Sequence, residues 1–147
     1  MVELAVSLVL VALTVLIHYE VLRLASTSLG CIAIRPRARI LVVIFFAFGA
    51  HLLEVALFAA AFYVLVELQG VGALAGNRQD GFYDYFYFSL SNYTSLGLGD
   101  LYLQDELRIL TGIEALIGLM LITWTASFTY LAMEKFWDLH GPDNDHS

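Results

Sequence analysis

Gly81-Phe-Tyr-Asp-Tyr-Phe-Tyr-Phe-Ser-Leu-Ser-Asn-Tyr-Thr-Ser-Leu-Gly-Leu-Gly-Asp100 is the stretch that decides how this 147-residue chain folds. Its first part, with aromatics at 82, 83, 85, 86, 87, 88 and 93, reads as a helix about 18 Å long. That is too short to cross a hydrocarbon core of about 30 Å. Asp80 stands where an N-cap belongs. One reading is an amphipathic helix whose aromatics form an interfacial belt. The other is a re-entrant helix, tolerated because its end is enclosed by protein or faces a water-filled cavity.

The residues that follow favour the second reading. From Thr94 to Asp100 two glycines alternate with leucines. A run of carbonyls faces one axis when successive residues alternate between ordinary and left-handed dihedrals, and glycine takes the left-handed ones at little steric cost. Repeated by symmetry, such a run makes rings of oxygens that replace an ion's hydration shell. The C-terminal end of the preceding helix carries partial negative charge and favours cations there.

The flanking sequence places this motif in a membrane. Hydrophobic residues make up 60% of the chain and charged residues 14%, against about 45–50% and about 25% in soluble domains. Three runs, Leu4 to Leu24, Ile40 to Leu68 and Leu107 to Met133, reach the roughly 20 residues that a span requires. Arg23, Arg35, Arg37 and Arg39 flank the first connection, whereas the second holds Asp80, Asp84, Asp100, Asp105 and Glu106. The positive-inside rule then predicts a multi-pass protein of the cell membrane, amino terminus outside and carboxyl terminus in the cytoplasm. Glu3 and the lack of a basic leader argue against a signal peptide. With 7 Lys+Arg against 14 Asp+Glu, no basic patch exists to bind nucleic acid. Cys31, the single cysteine, forms no internal disulfide. No linker or repeat suggests a soluble regulatory domain.

Gly81 to Asp100 resembles the pore loop of the potassium-channel superfamily. Tyr87-Phe88-Ser89 is similar to the Y-F-S of many pore helices, and Gly99-Asp100-Leu101-Tyr102 continues the likeness. The stretch Glu114 to Met120 resembles the inner helix of bacterial two-span channels. The resemblance covers roughly residues 40–135. It implies an all-α membrane protein with three transmembrane helices, a re-entrant pore helix and a selectivity-filter loop, assembled as a fourfold homotetramer. The outer helix is expected over 40–68, the pore helix over 82–94, the filter over 94–100 and the inner helix over 107–133. Residues 1–25 add a transmembrane helix, 26–39 form a basic cytoplasmic loop and 136–147 a short tail.

The implied activity is passive, non-enzymatic conduction of potassium, with monovalent cations in the filter and no other cofactor. Thr94, Ser95, Leu96, Gly97, Leu98 and Gly99 are the implied ion-binding residues, with Asp100 at the outer mouth. Leu98 replaces the family's usual tyrosine and Phe88 its frequent tryptophan, so both halves of the polar cuff read as apolar, with Ser91, Asn92 and Tyr93 as substitutes. Leu103 stands where the family often has proline. These departures leave a weakly selective or sodium-permeable pore as the alternative.

Elsewhere, Gly118 is either a hinge or a close-packing residue. Ile122, Thr125, Ala126 and Thr129 share roughly one helix face with it, a candidate cavity and gate lining. Glu114, alone in its span, is expected to support the filter through Ser91 or Asn92. His51 and Glu54 lie three apart on one helix face, and His18 falls at a similar depth. Together they predict a polar cluster in the inner half of the membrane: interhelical glue, a proton sensor, a metal site, or remotely an enzyme centre.

Overall fold

The structure, a computed structural model, describes residues 2–31, 36–79, 81–104 and 107–137. Arg35, Asp80, Asp105, Glu106 and the tail beyond Trp137 lie outside the described residues. Of three long helices, α1 (Val2–Cys31), α2 (Pro36–Tyr63) and α4 (Leu107–Trp137), the last two hold the short α3 (Phe82–Tyr93) between them, and α1 packs on α2 and α4. Each long helix contains an apolar segment able to cross a bilayer: Leu4–Ser28, Ala38–Leu68 and Leu107–Lys135. The predicted all-α membrane fold is therefore the one observed.

Hydroxyls inside the long helices find partners on their own backbone. Thr14 Oγ1 donates to the Leu10 carbonyl at 3.0 Å, Thr111 to Leu107 at 3.1 Å and Thr123 to Leu119 at 2.8 Å. This satisfies polar groups where no water is available. It also accounts for a difference from expectation at the first connection. Thr27 back-bonds to Arg23 and Leu24, so α1 runs through Ser26–Ser28 to Cys31 instead of yielding to a loop at 26. Pro36, favoured at a first helical position, starts α2 before Ile40.

The helices bury stripes, not whole surfaces. Ser7, Leu10, Thr14, His18, Leu22 and Ala25 form the covered face of α1, at the three- and four-residue spacing of a helix. The opposite faces remain apolar and exposed, Phe45 and Phe48 on α2 among them. At its far end α2 widens into a π turn, Val64–Leu68. There Glu67 accepts hydrogen bonds from Tyr85 at 2.7 Å and Arg78 at 2.8 Å.

A two-stranded antiparallel ribbon, absent from the sequence expectation, joins β1 (Leu74–Gly76) to β2 (Leu101–Leu103). Its register pairs Leu74 with Leu103 and Gly76 with Leu101. The ribbon's Leu74, Leu101 and Leu103 join Phe58, Phe62, Tyr85, Phe88, Leu107, Leu110 and Leu121 in the main core.

Gly118 on α4 sets how closely the short helix approaches. A Cβ there would run into the Tyr93 carbonyl at the end of α3, which assigns Gly118 a close-packing role. Gly112, one and a half turns earlier, faces open space. Gly112→Ala should therefore raise stability by about 1 kcal/mol through helix propensity. Gly118→Ala should lower it, because overpacking of about 1–3 kcal/mol outweighs that gain. Thermal melting in detergent of the two variants should show shifts of opposite sign.

Candidate functional site

The site grows from the C-terminal end of α3, where the helix stops and the chain doubles back. Gly81, not Asp80, holds the N-cap position of this helix, and no side chain caps it there. Instead the Asp84 carboxylate reaches back to the Gln79 N–H at 2.9 Å. At the other end the loop from Thr94 supplies the donors that the last carbonyls lack. Ser95 N–H donates to Asn92 O at 2.8 Å, while Leu96 N–H and Gly97 N–H both donate to Ser91 O, at 2.9 and 3.1 Å. Thr94 Oγ1 turns back onto Leu90 O at 2.9 Å.

Within this loop Ser95, Gly97 and Gly99 take positive φ of 59°, 54° and 78°. Leu96 and Leu98 between them do not. Alternation therefore extends two residues before Gly97, to a serine that adopts this conformation against its intrinsic preference. Leu96 and Leu98 are exposed in the single chain, at 66% and 56%.

Two polar braces hold the loop. Ser91 Oγ accepts the Leu98 N–H at 3.1 Å, the support expected of Ser91. Tyr87 donates its hydroxyl to Asp100 Oδ2 at 2.9 Å, a tie that was not anticipated. The hydrogen bond to Asp100 holds the Tyr87 phenol above its ordinary pKa. The cuff is thus not wholly apolar: its phenol sits one residue before Phe88, which is buried edge-on against Phe62. Asn92, by contrast, spends its amide on Phe88 O within its own helix, at 2.8 Å. Beyond the loop, the Asn77 N–H bonds the Asp100 carbonyl at 3.0 Å, tying the mouth to the ribbon.

Glu114 is fully buried behind α3. Its partner is Ser89, not Ser91 or Asn92; the Ser89 hydroxyl also lies 2.9 Å from the Val55 carbonyl. The reason is rotational. Ser91 faces the loop, and Ser89, two residues earlier, faces the α2–α4 seam.

His18, His51 and Glu54 do come together, as expected, against Tyr93 at the end of α3. Glu54 Oε1 meets His18 Nδ1 at 3.0 Å, and Oε2 meets His51 Nδ1 at 3.3 Å and the Tyr93 hydroxyl. Tyr93 also lies 2.9 Å from His51 Nδ1. Thr125, expected on the cavity face, turns its hydroxyl to His51 Nε2 at 2.9 Å and His18 Nε2 at 3.2 Å. Trp124 stacks beside the His18 ring, centroids 5.3 Å apart. Of the other candidate lining residues, Ile122 and Ala126 are exposed and Thr129 is half-buried.

Tyr87 and Ser89 are the hydroxyl groups with no role in the sequence reading, and Tyr93, expected as a substitute in the cuff, turns its hydroxyl to Glu54 and His51 instead. Their signal was present in the spacing: hydroxyls at 87, 89, 91 and 93 fan out around a short helix, and each reaches different partners.

A family model described as ion channel matches residues 40–135. No curated protein and no solved structure gives a significant match.

Ser91→Ala should cost about 1 kcal/mol by leaving the Leu98 N–H without its acceptor. Tyr87→Phe, at a solvent-facing tie, should cost less. Melting curves of both variants check the order; the reverse order would contradict the bracing described.

Proposed function

The chain belongs to this ion channel family, as a member of the potassium-channel superfamily, and from that membership we propose a homotetrameric, potassium-selective cation channel. The observation that carries the proposal is the alternating positive φ at Ser95, Gly97 and Gly99, immediately after a helix too short to span. Four copies around one axis turn that alternation into rings of carbonyl oxygen from Thr94 to Gly99, which take the place of a cation's water. The exposure of Leu96 and Leu98 in one chain suits a loop completed only by its symmetry mates. Asp100, oriented by Tyr87, raises cation concentration at the entrance. The end of α3 directs its partial negative charge to the inner end of the same path.

In this reading α2 is the outer helix and α4 the inner one. Ile122, Ala126 and Thr129 line the cavity, and Gly118 sets the packing of α4 on the pore helix. The arginines of the first connection place it in the cytoplasm, with the amino terminus outside. The channel performs no bond chemistry.

A weakly selective pore is the second reading, and one observation favours it. Leu98 has only its backbone N–H braced, so the loop lacks the side-chain hydroxyl that stiffens it in the family. Purified protein in liposomes under potassium and then sodium gradients separates the two. Potassium flux well above sodium flux is expected, and Gly97→Ala should reduce it at least tenfold. Equal fluxes would leave only the weakly selective pore. No flux of either ion through a confirmed tetramer would overturn conduction.

A further inference from the structure

Five side chains from four helices form one cluster: three meet the Glu54 carboxylate, and Thr125 closes it behind the two imidazoles. His18 comes from α1, His51 and Glu54 from α2, Tyr93 from the last turn of α3 and Thr125 from α4. Glu54 and His18 are fully buried, and the His51 side chain is 18% exposed. Both imidazole Nδ1 atoms face the carboxylate, and both Nε2 atoms face one hydroxyl oxygen.

With both imidazoles neutral, hydrogen counting exposes a shortage of donors. An ionised carboxylate only accepts, so both Nδ1 atoms must present it with a hydrogen or a cation. Thr125 carries one hydroxyl hydrogen and cannot donate to two Nε2 atoms. If both Nδ1 atoms instead bind a metal, both rings carry their hydrogen on Nε2. The Thr125 oxygen then receives the two N–H groups on its two lone pairs, the outer-shell role that fixes metal-bound imidazoles.

We propose that His18, His51 and Glu54 form a binding site for a divalent transition ion of the zinc class, with the Tyr93 hydroxyl as fourth ligand. The three residues offer ligand atoms all within 4.8 Å of one another. A tetrahedral ion with bonds of about 2.0–2.1 Å needs ligand edges of about 3.3 Å. His18 Nδ1 lies 3.0 Å from Glu54 Oε1 and His51 Nδ1 lies 3.3 Å from Oε2, so the carboxylate must turn one oxygen toward the ion while the imidazoles adjust around it. Two imidazoles and one carboxylate suit zinc or cobalt better than calcium or magnesium, which take oxygen ligands. Charge balances as well. The ion binds neutral ring nitrogens and the Glu54 carboxylate, and Tyr93 releases its proton to solvent, leaving a neutral centre in apolar surroundings. The occupied site pins the added helix α1 to the residue that precedes the 94–100 loop. Nothing in this proposal requires that the loop conduct ions.

The test uses the purified full chain in detergent, stripped with chelator and titrated with Co²⁺ and then Zn²⁺. About one ion per chain is expected, with the intense visible bands of tetrahedral Co²⁺ and a higher melting temperature. His18→Ala should abolish binding. Tyr93→Phe and Thr125→Val, which keep both imidazoles and Glu54, should weaken it about 10–100-fold while circular dichroism confirms folded helices. Absence of saturable Co²⁺ and Zn²⁺ binding by folded wild-type protein would overturn the site. So would equal affinity in the folded Tyr93→Phe and Thr125→Val variants. Melting that responds to pH alone, with no ion bound, would show that the pair of histidines closes on a proton instead.

Discussion

A helix that enters a bilayer and stops leaves carbonyls stranded at its end. Everything around α3 answers to that constraint. The carbonyls of Leu90, Ser91 and Asn92 are met by N–H groups of Thr94 to Gly97, so the loop after the helix is also its cap. The loop can fold back so tightly only because α4 presents a glycine, Gly118, to the Tyr93 carbonyl. Capping, loop conformation and helix packing are thus one arrangement. A change in any of them is felt by the other two.

The second demand comes from ionisable groups placed among apolar ones. Burying a carboxylate is costly unless hydrogen bonds or opposite charge surround it. Glu54 is enclosed by His18, His51 and Tyr93, whereas Glu114 has Ser89 on one oxygen and leaves the other without a hydrogen bond among the described residues. The enclosure of Glu54 needs α1. Without His18, Glu54 Oε1 would lose the partner that this helix contributes. The extra span is therefore built into the polar interior behind the pore, and does not merely lie beside it.

Much of this was readable from residues alone. Run lengths and the lone acids gave the three spans; the short aromatic segment and the Gly97/Gly99 alternation gave the re-entrant helix and its loop. Three kinds of feature escaped. The β1–β2 ribbon has three-residue strands, too short for any alternation to register. Helix rotation chose Ser89 over Ser91 for Glu114, and turned Thr125 toward the histidines; a spacing argument for a 31-residue helix drifts by such angles. Tyr87 was hidden by attention to Phe88, because the polar group had moved one position along the helix while its partner, Asp100, stayed in place.

Ser95 holds a consequence of its own. Gly97 and Gly99 rest in their backbone conformations without cost, but Ser95, at φ 59°, stays there against a bias of about 1–2 kcal/mol. The outer part of the loop is therefore relaxed and the inner part is spring-loaded. When the surrounding hydrogen bonds loosen, recoil begins at Ser95, so the loop gives way first at the end joined to α3 and not at the Gly99 end.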